Sequence, residues 1–257
     1  MTIPRVLVVA GSDSGGGAGI QADIKTIAML GGHPTTAITA ITAQNTLGVQ
    51  AVHPVSADMV VAQIDSVLSD IGTDAVKIGM IGSAAIAHAV ADRLERLDVP
   101  IVFDPVMIAT SGSTLADAAT IAAFERLMTI ASVVTPNLPE LEALGGEAAV
   151  LAHGCHLAAK GGHAEGATVT DRLLAADGRE VAVMHAERLD TRDTHGTGCT
   201  FASALACGLA AGLSVEDAFT RAIRFVRRAI LAAPGLGQRH GPLGHALGVV
   251  PFDQVER

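Results

Sequence analysis

The chain has 257 residues, a length that one α/β domain can fill, so a single domain over residues 1–257 is expected. Its 17 Lys and Arg against 26 Asp and Glu give a net charge of −9, and the positives cluster only at Arg224, Arg227 and Arg228, which argues against nucleic acid as a partner. Every apolar run is broken by glycine, a polar residue or a charge before the length of a membrane span, and the start lacks a signal-peptide pattern, so a cytoplasmic protein with no membrane partner is expected. Cys155, Cys199 and Cys207 form no CxxC pair, which speaks against a disulfide framework and a thiolate zinc site.

Residues 5–10 read RVLVVA and end in Gly11; a Val-rich run of this length fits a strand buried on both faces. Comparable runs at 36–43, 75–81, 100–105 and 132–136 alternate with helix-like stretches at 19–30, 56–71, 83–97 and 115–130. This alternation predicts a mostly parallel sheet with helices on both faces. In 168–191 two strand-like pieces flank Ala176-Asp177-Gly178-Arg179, a turn signal that predicts an antiparallel hairpin toward the sheet edge. Residues 199–213 carry no charge, which predicts an enclosed helix, whereas 214–230 set Val215, Ala218, Ala222, Val226 and Ile230 on one stripe. The last segment, 235–257, is Gly-rich and expected to be irregular.

Three constellations carry chemistry. The first, GSDSGGGAG at 11–19, follows a strand and opens a helix, and its five glycines allow close backbone approach to a ligand. It lacks the Lys-Ser/Thr of a P-loop, and no acidic residue stands at the end of the second strand to take a ribose, where Gln44-Asn45 occur instead. A purely structural glycine turn is the alternative. The second, THGTGC at 194–199, runs straight into the uncharged helix, so backbone N–H groups of Gly196 and Gly198 can converge on an anion at the positive end of the dipole. The same field favours the Cys199 thiolate; Cys155 and Cys207 read as core. The third comprises Asp104, Asn137 and Glu140 at the ends of apolar strands, where oxygen ligands suit Mg²⁺, although Asn137 and Glu140 also have the spacing of a helix capping box. Lys160 is a phosphate contact or an exposed strand end.

With these residues assembled, the chain resembles the hydroxymethylpyrimidine kinase/phosphomethylpyrimidine kinase family of thiamine biosynthesis, within the ribokinase-like superfamily. The likeness rests on AGSDSGGGAGIQADIKT at the start, AITAQNT at 40–46, KIGMIG at 77–82, VFDPVMIATSGS at 102–113, TPNLPE at 135–140, KGGH at 160–163 and THGTGC at 194–199. It implies a ribokinase-like three-layer αβα sandwich with a mostly parallel sheet and an antiparallel edge hairpin. It also implies phosphorylation by ATP and Mg²⁺ of 4-amino-5-hydroxymethyl-2-methylpyrimidine and then of its monophosphate. The family's pyrimidine contacts carry over to Gly11, Asp23, Gln44, Met80 and Val106. Its Mg²⁺–phosphate residues carry over to Asp104, Asn137 and Glu140, its nucleotide contacts to Lys160 and Thr197, and its catalytic group to Cys199 with the anion hole of Gly196 and Gly198. Sugar kinases of this superfamily carry Asp as general base where this chain has Cys199. A homodimer is the expected assembly. The alternatives are a pyridoxal/pyridoxine kinase of the same fold and a non-catalytic pyrimidine-binding regulatory protein. The interval between Asn137 and Lys160 is shorter than the family leads one to expect, which puts the segment 145–159, and with it the reach of Lys160 to the nucleotide, in question.

Overall fold

The computed structural model describes residues 2–108, 112, 115–163 and 166–248. Nine strands, β1 (Arg5–Asp13), β2 (His33–Asn45), β3 (Gly48–Pro54), β4 (Ala75–Ile78), β5 (Ile101–Phe103), β6 (Val133–Val134), β7 (His156–Ala159), β8 (Thr168–Leu174) and β9 (Glu180–Glu187), form one sheet in the order β3-β2-β1-β4-β5-β6-β7-β8-β9. Neighbours from β2 to β7 run parallel, while β3 at one edge and β8 and β9 at the other are antiparallel. The helices are α1 (Gly19–Met29), α2 (Ala57–Asp70), α3 (Ala84–Leu94), α4 (Ala118–Ile130), α5 (Leu138–Ala143), α6 (Glu147–Leu151), α7 (Thr197–Ala210) and α8 (Val215–Leu231).

The alternation of side chains along a strand makes two cores from one sheet. In β1, Leu7 and Val9 pack with Val60 and Ile64 of α2, Ile86 and Val90 of α3, and Phe124 of α4. Val6, Val8 and Ala10 pack on the opposite face with Ile20 and Ile27 of α1, Phe201 of α7 and Phe219 of α8. This is the expected three-layer arrangement. Starts are set by short polar caps: the side chains of Ser56, Ser83, Asp117 and Ser214 accept the N3 amides of α2, α3, α4 and α8.

The hairpin expected at 168–191 is present as β8 and β9, at the edge. The uncharged α7 is enclosed, with every residue from Thr200 to Leu209 buried. One expectation shifts, and one strand was not expected. In α8 the deepest face is Ala218, Phe219, Ala222, Ile223, Phe225 and Ala229; Val226 packs part-buried against the same core and, with Ile230, also lines a cavity. Strand β3 had no sequence signal because its residues are largely exposed and show no apolar run. The short interval from Asn137 to Lys160 nevertheless holds α5, α6 and β7, and β7 joins the sheet in register with β6. The part of the final segment that is described, 235–248, contains turns but no helix or strand; residues 249–257, and residues 109–111 and 113 of the VMIATSGS motif, lie outside the described residues.

Candidate active site

Parallel strands deliver the residues that follow them to one edge of a sheet, and here each delivers a polar or sulfur-bearing group to one cavity of about 870 Å³. Asp13 ends β1, Gln44 lies near the end of β2, Met80 follows β4, Asp104 follows β5, Asn137 follows β6 and Lys160 follows β7. The N-terminus of α7 closes the site with Gly196, Thr197, Gly198 and Cys199. Gly196 stands in the left-handed region at φ 86°, and a Cβ there would lie 1.9 Å from the Gly17 carbonyl oxygen, so the glycine loop and the anion-binding turn touch only because position 196 has no side chain.

The glycine loop does not offer its amides to a ligand. Gly15 N–H (2.8 Å), Gly17 N–H (3.0 Å) and Ala18 N–H (2.8 Å) all donate to the Asp13 carboxylate. His195 Nε2 lies 2.9 Å from Asp13 Oδ2, which fixes that nitrogen as a donor. Burial favours a protonated Asp13, but the bonds from His195, Ala18 and Gly15 outweigh it and hold the carboxyl below its ordinary range. Gln44 Nε2 lies 3.1 Å from the same His195 nitrogen, whose proton is already committed to Asp13, and Thr42 Oγ1 lies 3.3 Å from Gln44 Oε1. These two contacts hold the Gln44 amide at the cavity wall. Gly11, Met80 and Val106 line the same end.

Asp23 does not join them. It is wholly buried and absent from the cavity wall; both its oxygens receive Lys77 Nζ, at 3.0 and 2.9 Å, and Ser203 Oγ donates to Oδ1 at 2.7 Å. The expectation of a direct pyrimidine contact at Asp23 is corrected accordingly: Lys77 and Ser203 hold its carboxylate behind the cavity wall.

At the centre of the cavity, Asp104 Oδ1 accepts from Thr135 Oγ1 at 2.9 Å and from Lys160 Nζ at 2.7 Å. Lys160 thus reaches the site despite the short interval before it. Burial opposes its charge, yet Asp104 and Glu140 outweigh that and raise its pKa. A Cβ at Gly198 would lie 3.2 Å from Lys160 Nζ and 3.6 Å from Asp104 Oδ2, so the start of α7 abuts this pair. Asn137 and Glu140 form the capping box of α5: Glu140 N–H donates to Asn137 Oδ1 and Asn137 N–H to Glu140 Oε2, each at 2.9 Å. Burial, reinforced by Asp104, pushes the Glu140 carboxyl up against the pull of Lys160. The three expected metal ligands do not converge as a cage: Asn137 spends its side-chain oxygen on the cap, and no group of three or more His, Cys, Asp or Glu able to hold a metal occurs among the described residues.

Cys199 requires the sharpest correction. The helix N-terminus was expected to lower its pKa, but burial pushes the thiol up to about 11, with Asp23 and Asp104 adding to the rise and Lys77 opposing it. Desolvation and two carboxylates outweigh the dipole. Cys155 and Cys207 are buried, as expected. Asp13, His195 and Lys77 were not singled out by the sequence reading, although Asp13 and His195 stand inside its two glycine motifs and Lys77 is a lone charge inside the apolar stretch AVKI.

A family model described as phosphomethylpyrimidine kinase matches residues 13–244. The hydroxymethylpyrimidine/phosphomethylpyrimidine kinase of Streptomyces coelicolor is 48% identical over 264 residues, covering 96% of this chain and 97% of that protein. The protein of the same name from Bacillus subtilis is 42% identical, covering 95% and 96%. Among solved structures, an ADP complex of Bacillus subtilis pyridoxal kinase superposes with a TM-score of 0.87 at 32% identity, covering 96% of this chain and 98% of that one. The phosphomethylpyrimidine kinase of Clostridium difficile superposes with a TM-score of 0.75 at 34% identity, covering 89% and 100%. Identity of this order across nearly the whole length, on the same ribokinase-like architecture, makes the chain a member of the phosphomethylpyrimidine kinase family.

Proposed function

We infer that the chain is a phosphotransferase of thiamine biosynthesis, transferring the γ-phosphoryl of ATP first to the hydroxymethyl oxygen of 4-amino-5-hydroxymethyl-2-methylpyrimidine and then to the resulting monophosphate. The observation that carries this reading is the continuity of one cavity from the amide of Gln44, past Lys160, to the N-terminus of α7. A flat aminopyrimidine beside Gln44, Gly11, Met80 and Val106 would point its hydroxymethyl group at Cys199, and the phosphates would lie against Lys160, Thr197 and the N–H groups of Gly196 and Gly198. The acceptor oxygen attacks phosphorus, the bond to the ADP oxygen breaks, and the acceptor proton passes to the Cys199 sulfur in its thiolate form. Phosphoryl transfer asks little covalent chemistry of the protein, so positioning and charge carry most of the rate.

The acidic groups fit Mg²⁺ in one form only. Asp104 and Glu140 supply carboxylate oxygens without a third protein ligand, which suits an ion that keeps its waters and completes its shell with substrate phosphates. When bound, it would neutralise charge on the transferring group. Asn137 serves this site through the cap that holds Glu140.

The whole chain acts as one kinase domain in the cytoplasm; among the described residues no helix is long and apolar enough to cross a membrane. A homodimer is proposed through the β2–β3 edge, where Ile41, Leu47 and Val52 are exposed. The likeness to pyridoxal kinases favours a second, weaker activity on pyridoxal. A coupled ADP-release assay against hydroxymethyl heteroaromatics tests both readings. Turnover should be greatest with the pyrimidine, and its absence with every acceptor would overturn the assignment.

A further inference from the structure

Asp13, at the end of β1, and His195, just before the anion-binding turn, stand 182 residues apart in sequence and meet at 2.9 Å, both buried. The Asp13 carboxylate collects four donors: Gly15 N–H on Oδ1, and Gly17 N–H, Ala18 N–H and the His195 imidazole on Oδ2. His195 is anchored in turn by its own backbone N–H, which donates to the Gly241 carbonyl at 3.1 Å. Its ring fills the space over Gly17, where a Cβ would overlap His195 Cδ2. One residue on, Gly196 packs against the Gly17 carbonyl. The glycine loop and the turn before α7 therefore meet twice, once by backbone packing and once by a hydrogen bond between side chains.

The two segments carry opposite ends of the reaction. Gly11, at the head of the glycine loop, lines the pyrimidine end of the cavity, and the turn supplies Gly196, Thr197 and Gly198 at the phosphate end. The Gln44 amide stands 3.1 Å from the same His195 nitrogen that serves Asp13. The separation of acceptor and anion hole is thus set where Asp13 and His195 meet. Packing of two glycines alone leaves the segments free to slide, whereas a bond to an ionised carboxylate fixes direction as well as distance.

We propose that the Asp13–His195 pair is a positioning unit of phosphoryl transfer: a buried strut that holds the glycine loop and the start of α7 at the separation where the acceptor oxygen faces the γ-phosphorus. The pair acts through the backbone of both segments and not on the reacting atoms. The proposal rests on the phosphoryl-transfer reading of this cavity and adds what fixes the distance between its two ends.

The test compares full-length wild type with His195→Phe, His195→Gln and Gly17→Ala, and with His195→Ala alone and combined with Gly17→Ala. Single-turnover transfer to the pyrimidine is measured at saturation, and equilibrium binding of the pyrimidine and of ADP is measured separately. His195→Phe keeps a ring but removes the donor; transfer should slow by about 10²-fold, the cost of a misplacement of about 1 Å, while each dissociation constant stays within about threefold. His195→Gln, whose amide can donate to Asp13, should recover most of the rate. Gly17 lies outside the left-handed region, so the methyl of Gly17→Ala acts against the His195 ring and should cause a comparable loss. Added to His195→Ala, where the ring is gone, it should cause no further loss. Gly17→Ala also carries the test where His195→Phe does not fold. Transfer at the wild-type rate in folded His195→Phe or Gly17→Ala would overturn the proposal, as would a Gly17→Ala loss that persists in the His195→Ala background. Binding weakened as much as the rate would overturn it too, by making the pair a ligand contact. Absence of transfer by wild type to every acceptor would instead remove the kinase reading itself.

Discussion

Two influences meet at Cys199: the positive end of α7 draws charge onto the sulfur, and burial between Asp23 and Asp104 drives it off. With a pKa near 11 only a small fraction of the thiol is ionised at neutral pH. Cys199→Ala should therefore slow the first phosphorylation by roughly 10²-fold at pH 7.5, toward the lower end of what general-base catalysis contributes. The gap between wild type and variant should widen as pH rises, because the thiolate fraction grows about tenfold per unit below the pKa. Single-turnover rates from pH 7 to 10 decide this; parallel profiles for the two proteins would leave the thiol as packing. The second phosphorylation, whose acceptor is already a phosphate oxygen, should change less. Gln44 makes a different prediction. Removal of one partner of a buried polar edge costs about 1–3 kcal/mol, so Gln44→Ala should raise the KM for the pyrimidine about 5- to 150-fold and leave that for ATP within about twofold. Steady-state titration of each substrate reads the split, and equal losses would move Gln44 off the pyrimidine. Both residues were legible in the sequence by type and place. The environment that sets Cys199's acidity was not, since Lys77, Asp23 and Asp104 come from three different elements.

At the scale of an element, α5 shows how one pair of residues serves two purposes. Asn137 and Glu140 exchange backbone and side-chain hydrogen bonds across the first turn, and the same cap turns Glu140 into the cavity beside Lys160. Asn137→Ala should lower stability by about 1 kcal/mol, the ordinary worth of an N-cap, read as a shift in the urea midpoint. The Mg²⁺ concentration needed for half-maximal activity should change less than in Glu140→Gln, because Asn137 acts on the ion only through the cap. A larger Mg²⁺ effect at Asn137 would restore it as a direct ligand. The sequence showed this spacing but left cap and ligand open, as the local pattern is identical for both. Strand β3 was invisible for another reason: an exposed edge carries no apolar period, and its partner β2 determines its existence.

For the molecule as a whole, His245 couples the irregular C-terminal segment to α7. Its Nε2 meets Thr200 Oγ1 at 2.9 Å, and burial, helped by the charge of Lys25, drives its pKa down to about 4. The folded state then binds fewer protons than the unfolded chain between about pH 6.5 and 4, so this contribution to stability is complete above the upper limit and is lost as pH falls through the window. Stability should drop by about 2 kcal/mol from pH 7.5 to pH 5 through this group. His245→Gln, which keeps a partner for Thr200, should be less stable at pH 7.5 but flatter over that range. Urea denaturation at both pH values checks it, and an equal slope in the variant would assign the acid sensitivity elsewhere.

What the amino-acid sequence by itself determined is the layered α/β architecture, the strands that carry the site and most of the residues at their ends. Those follow from local periodicity, from glycine placement and from the rule that parallel strands present their ends together. What only the tertiary structure decided is how those groups are spent. The glycine loop gives its amides to Asp13, Asp23 turns away from the cavity to hold Lys77, and Asn137 closes a helix. Each outcome depends on a donor or charge tens of residues away, and on burial that raises the cost of leaving any of them unpaired. Ionisation at Cys199 is the extreme case: its helix terminus is written in THGTGC, but the charges that decide its proton lie on α1, β4 and the loop after β5.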